Sequence, residues 1–186
     1  MLDNLEELLE GGALMHSGRR YLLLEPASLV DLQKSMDNVV GTAAVGQALY
    51  LSAFRQGNVL TAQTREELSL GPEEALHYMS ALCRQMGWGR IEITSFSLGG
   101  GTLELEVFHS AFAEEYGKAA DPVCHLIRGF YAGVWQAVIG CEVEGLELHC
   151  RSVEGPGPCT FMFTAAAGRQ AFKVSVNPDG NRNDDD

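Results

Sequence analysis

Two stretches, Arg90-Ile91-Glu92-Ile93-Thr94-Ser95-Phe96 and Thr102-Leu103-Glu104-Leu105-Glu106-Val107-Phe108, decide the fold class. In each, polar and apolar side chains alternate, the period of two that puts one set on each face of an extended strand. Gly99-Gly100-Gly101 supplies turn residues between them, so the pattern predicts a β-hairpin with one wet face and one covered face. What covers it reads as helical. Upstream, Ser69-Leu70-Gly71-Pro72-Glu73-Glu74 is a helix start, with proline near the first turn and two acids at the positive end of the dipole. Leu76, Met79, Leu82 and Met86 then recur at helical spacing. Val39 to Phe54 is also expected to be helical. Its small residues Gly41, Ala43, Ala44, Gly46 and Ala48 let a neighbouring helix or a second subunit come close. Ser28 reads as the N-cap of a helix from Leu29 to about Met36, and Arg20–Leu24, closed by Glu25-Pro26, reads as a strand.

Downstream of the hairpin, Asp121-Pro122 opens an apolar helix from Val123 to about Val138. Strands over Cys141–Leu148 and Cys159–Thr164 follow, separated by a Gly/Pro loop. The sum is an α+β fold, an antiparallel sheet packed against several helices in a single domain. That domain is expected to span residues 15–176, behind a short amphipathic helix within residues 1–14 and ahead of a polar, disordered acidic tail at 177–186.

Bulk properties narrow the function. The chain has 186 residues, 46% of them apolar and 20% charged, enough to bury a core. Its formal charge of −12 repels phosphate backbones and anionic membranes, so neither nucleic acid nor membrane insertion is expected. The acidic start, Met1-Leu2-Asp3-Asn4-Leu5-Glu6-Glu7, is unlike a basic secretory leader and points to the cytoplasm. In a reducing compartment five cysteines are ligands, core residues or reactive groups rather than a disulfide framework.

Cys124, Glu147, Cys150 and Cys159 carry the chemistry. Cys124 begins a helix, where partial positive charge favours a thiolate. Cys150 and Cys159 flank the loop Arg151-Ser152-Val153-Glu154-Gly155-Pro156-Gly157-Pro158, which is long enough to bring its ends into one coordination sphere. Three thiolates and a carboxylate would close a structural zinc site. Glu147 and Cys150, three apart, would face opposite sides of a regular strand, so the chain must leave strand geometry between them. His149 is an alternative fourth ligand, and the cysteines alone also suit a packed apolar core. Gly99-Gly100-Gly101 lacks the following helix that a phosphate cradle needs, and no nucleophile–base arrangement stands out.

Asp121-Pro122-Val123-Cys124-His125-Leu126-Ile127-Arg128-Gly129-Phe130-Tyr131-Ala132-Gly133 resembles the central helix of the 4-vinyl reductase (hydrocarbon-binding) domain family. Gly145-Leu146-Glu147-Leu148-His149-Cys150-Arg151 and Pro158-Cys159-Thr160-Phe161 resemble its C-terminal metal-binding strand and loop, and Gly18–Leu24 through Val30–Gln33 its N-terminal part. The resemblance implies a fold shared with phenol- and xylene-responsive sensor domains and with vesicle-tethering subunits. It implies zinc on Cys124, Glu147, Cys150 and Cys159, and it is what favours Glu147 over His149. The phenol sensors' anchoring tryptophan falls on Phe108 and their anchoring histidine near Ser80, with His77 one turn earlier. With those anchors lost or moved, the expected ligand is a small apolar molecule other than phenol. Phe108, Phe130, Tyr131 and His77 are the candidate contacts, although aromatics at these spacings also suit plain core. The expectation is therefore a non-catalytic, homodimeric, zinc-stabilised binding or sensor domain that acts through a signalling partner. An accessory role in tetrapyrrole vinyl reduction and a purely structural assembly module are the alternatives.

Overall fold

A computed structural model describes residues 12–16 and 19–166 of the chain. The expected N-terminal helix, apart from residues 12–14, and the acidic tail lie outside the described residues. In chain order the elements are β1 (Leu14–His16), β2 (Arg19–Tyr21), α1 (Pro26–Val40), α2 (Thr42–Leu68), α3 (Pro72–Gln85), β3 (Arg90–Ser97), β4 (Thr102–Phe108), α4 (Ala111–Tyr116), α5 (His125–Ile139), β5 (Val143–His149), α6 (Arg151–Glu154) and β6 (Cys159–Ala165).

The hairpin forms as its alternation requires. Arg90 pairs with Phe108 and Ser97 with Thr102, with a register shift between Ile93 and Ser95. Ile91, Leu103, Leu105 and Val107 face inward, while Glu92 and Glu104 face solvent. β6 lies between β4 and β5, giving the antiparallel order β3-β4-β6-β5. Phe161 and Phe163 of β6 extend the inner face and meet α5, whose Ile127, Phe130, Tyr131, Val134 and Trp135 are buried. The Trp135 indole donates to the Gly101 carbonyl at 3.0 Å, tying the helix to the hairpin turn.

Behind α5 lies α2, held at unusually short range. A Cβ on Gly57 would overlap the Phe130 carbonyl, and one on Gly133 the Phe54 carbonyl. The backbones therefore touch where side chains would normally keep helices apart. Asn58 donates to the Gly133 carbonyl at 3.3 Å, and Arg65 reaches the Ala137 carbonyl at 2.8 Å near the end of α5. The close neighbour expected for the Val39–Phe54 region is thus α5. Of the small residues named there only Gly46 is buried, and its approach is to the His125 ring.

Three local expectations change. The single helix from Val39 is broken at Gly41, whose φ of 88° favours glycine, and it resumes to run on to Leu68. The first helix starts at Pro26 rather than after Ser28, because proline's fixed φ and missing N–H suit a first helical turn. The strand read over Arg20–Leu24 pairs only to Tyr21, leaving Leu22 and Leu23 79% and 72% exposed.

Candidate metal centre

Three segments converge at the base of α5. Cys124 is its N-cap residue, Cys150 follows β5, and Cys159 opens β6 opposite Val107. The odd spacing between Glu147 and Cys150 is absorbed by a register shift in β5. Glu147 pairs with inward-facing Phe161, whereas His149, two residues on, pairs with Thr160 on the other face. A β-bulge of this kind re-aims the chain by one residue. It turns Glu147 and Cys150 to the same side and sends His149 away, its Nδ1 lying 2.8 Å from the Pro158 carbonyl.

The donor atoms of Cys124, Glu147, Cys150 and Cys159 all lie within 4.8 Å of one another. The sulfurs of Cys124 and Cys159 are 3.7 Å apart. That is far beyond a disulfide bond, but close to the edge of about 3.8 Å in a tetrahedron of thiolates 2.3 Å from a zinc ion. All three cysteines are buried and free. The backbone supports the cluster: Cys124 N–H donates to Glu147 Oε2 at 3.2 Å, Cys150 N–H to Glu154 at 2.7 Å, and Arg151 N–H to the Cys159 sulfur at 3.5 Å.

The electrostatics fit a cation. Glu147 Oε1 is buried with no hydrogen-bond partner. Burial first, and the Cys150 charge second, push the Glu147 carboxyl up to about 9. Hydrogen bonds from Cys124 and Cys159 hold the Cys150 thiol far below the ordinary thiol range. The Cys124 thiol is raised by its hydrogen bonds to Cys150 and Cys159 and by burial. For Cys159 the Cys124 contact pulls down, but the Cys150 contact and burial carry it up to about 12. The cluster thus retains one negative charge and protons on the other three groups. A divalent ion would displace those protons and give Glu147 Oε1 a partner.

The candidate ligand contacts are not brought together. Phe130 and Tyr131 are buried neighbours with ring centroids 5.7 Å apart, and the Tyr131 hydroxyl donates to Ser80 at 3.2 Å. Cys83 lies in the same core, its thiol pushed up to about 12 chiefly by burial. Phe108 sits on the outer face of the sheet under the Arg90 guanidinium. His77 is on the solvent side of α3, its side chain 64% exposed and 3.8 Å from Glu73. Sequence reasoning missed a groove of about 640 Å³ alongside the cluster, between α1 and the start of α5. Glu147 and Val123 form part of its wall.

The fold and cluster define an α+β domain with a four-donor clamp at the root of its central helix. Residues 103–165, from the hairpin's second strand to β6, match the 4-vinyl reductase domain family. No curated protein sequence matches the chain. Among solved structures, the chain is similar to the phenol-responsive sensory domain of the transcription activator PoxR, crystallised with phenol. Identity there is 21% over 88% of each chain, with a TM-score of 0.73. It is also similar to a trafficking protein particle complex subunit 3 from Naegleria fowleri covalently bound to palmitic acid. That match has 12% identity over 76% of this chain and 95% of the other, with a TM-score of 0.54. A vinyl-4-reductase family protein from Methanocaldococcus jannaschii aligns at 15% identity over 76% and 91% of the two chains, with a TM-score of 0.47.

Proposed function

We propose that this chain is a non-catalytic, small-molecule-binding sensor domain whose central helix and last strands are pinned by a structural zinc ion. The observation that carries the reading is the convergence of four donor atoms from three separate segments, with Glu147 Oε1 buried and unpartnered among thiols. Cys124, Glu147, Cys150 and Cys159 would hold the metal. As a closed four-donor site it supplies cross-linking rather than a reactive water. The 4-vinyl reductase domain match and the likeness to a domain crystallised with phenol support a small-molecule role. Phe130 and Tyr131 are the core aromatics against which an apolar ligand would pack, with the Tyr131 hydroxyl as the nearby polar group.

The domain works as a cytoplasmic homodimer and passes its signal to a partner protein. Apolar residues left exposed along α1, Leu32, Met36 and Val39, support a subunit contact. No described helix is long and apolar enough to cross a membrane. Native mass spectrometry of the purified protein with elemental analysis tests the reading. One zinc per chain and a retained small molecule are expected. A metal-free, ligand-free protein that neither takes up zinc nor gains thermal stability from it would overturn it.

A further inference from the structure

The groove beside the clamp has a chemistry of its own. Its volume of about 640 Å³ lies in the range of small-molecule sites. Ala43, Ala119, Ala120, Pro122, Val123 and Leu146 give it apolar walls. Into this lining projects Arg128, one turn into α5 and partly buried. Its guanidinium stacks over the Tyr50 ring, 4.8 Å from the centroid. Stacking occupies the face of the guanidinium and leaves the in-plane N–H donors unused. Among the described residues Arg128 makes no ion pair, and its Nε is buried without an acceptor.

The acids that share the groove are already engaged. Asp37 accepts from the Tyr116 hydroxyl at 3.3 Å, and Glu147 accepts from the Cys124 N–H and turns to the clamp. Lys118, exposed at the rim, adds a second positive charge. An arginine held by an aromatic ring, without a carboxylate, at the edge of an apolar trough suits a ligand with one anionic end and one oily end.

We propose that this groove binds a small amphipathic carboxylate, with Arg128 as the anchor for the carboxylate and the alanine, proline and leucine walls taking the hydrocarbon. The proposal rests on the small-molecule-binding reading. It moves the ligand out of the Phe130–Tyr131 core and gives it a charge. Because Val123 and Glu147 belong to both groove and clamp, an occupant would press on the segment that fixes the start of α5.

The test titrates the full-length protein with octanoate, octan-1-ol and octylammonium by calorimetry and by amide NMR. Octanoate should bind about tenfold or more tightly than the other two and shift amides of residues 33–43 and 118–128. Arg128→Gln and Arg128→Lys should each weaken octanoate about tenfold and leave octanol unchanged, because lysine lacks the planar fork. Ala43→Trp, at an exposed position on the groove wall, should block octanoate without touching Arg128, which keeps the test open if the arginine variants fold poorly. Equal affinity for octanoate and octanol, no octanoate binding, or binding unaltered in both Arg128→Gln and Ala43→Trp would each overturn the proposal. Zinc content measured on the same samples separates the two ideas. Zinc without octanoate binding removes the groove assignment alone, and octanoate binding without zinc removes the clamp alone.

Discussion

Replacing Cys150 with serine removes one donor from the centre of the clamp without changing the shape of the buried site. Cys150 is fully buried and is the thiol that the cluster holds as thiolate. A serine hydroxyl does not ionise at neutral pH, so the variant offers three donors and the wrong charge. Four-ligand structural zinc sites bind with roughly 10–16 kcal/mol, on the order of 3 kcal/mol per ligand. Losing one such share lowers zinc affinity by about a hundredfold or more. The domain should still fold, because Ile127, Tyr131, Trp135, Phe161 and Phe163 form a core that does not depend on the metal. The expected result is about 3 kcal/mol of lost stability at micromolar zinc, which for a chain of this size lowers the Tm by about 10 °C.

The loosening should be local. α6 is tied to its neighbours by the Ala119 N–H to the Ser152 carbonyl at 2.8 Å and by the Ser152 hydroxyl to the Ala113 carbonyl at 3.0 Å. Amides over residues 119–124 and 147–159 should therefore exchange faster, while those of β3 and β4 keep their protection. Calorimetry with and without a chelator provides the check. Chelation should lower the wild-type Tm by about the same amount and leave Cys150→Ser unmoved. Wild-type zinc stoichiometry and an unchanged Tm in the variant would refute the reasoning.

Two further perturbations probe the same scaffold. In metal-free protein Glu147 is raised above its ordinary 4.5 to about 9, so its contribution is full below pH 4.5 and is lost as pH climbs through 9. Cys150, depressed below its ordinary 9, contributes fully above 9 and loses that as pH falls. The two slopes oppose each other, so the metal-free wild type should be nearly flat between pH 6 and 8. Metal-free Glu147→Gln should gain stability with pH by up to about 1.4 kcal/mol per unit, the limit for one proton. Urea midpoints measured across that range decide it, and identical slopes in the two proteins would reject the charge assignment. Gly133→Ala would help an open helix by up to about 1 kcal/mol. Here the new methyl meets the Phe54 carbonyl and the Asn58 N–H, so a net loss of about 2 kcal/mol in urea unfolding is expected. A stabilised variant would contradict the backbone contact of α2 with α5.

The sheet, α3, α5 and the clamp were legible because each wrote its own local signature. The hairpin strands alternate, α5 is apolar on most sides, and the clamp residues bracket a loop. The same alternation could have removed Phe108 from the ligand set, since Leu103, Leu105 and Val107 share the inward parity that Phe108 lacks. His77 stands next to Leu76 on α3, but the helical step of about 100° carries it to the solvent side. The far half of α2 was not legible. It is largely polar, and it is held by a glycine contact and by Arg65 reaching the end of α5, which no periodicity reports. α4 went unread although Ser110 caps it, its hydroxyl accepting from the Ala113 N–H at 3.3 Å. The groove is built from loop and helix-end residues far apart in the chain, and only folding brings them together.

The packed-core reading of the three cysteines has to account for Glu147, and it does so badly. Buried thiols cost little, but a carboxylate oxygen shut away without a partner costs on the order of 1–3 kcal/mol or more. Raising that carboxyl to about 9 relieves the charge only by keeping a proton among groups that would otherwise repel one another. The β5 bulge adds to the difficulty for that reading. A regular strand would have kept Glu147 and Cys150 on opposite faces, and the irregularity serves no apolar packing that the neighbouring residues lack. Both features are what a cation between Glu147 and the sulfurs would require.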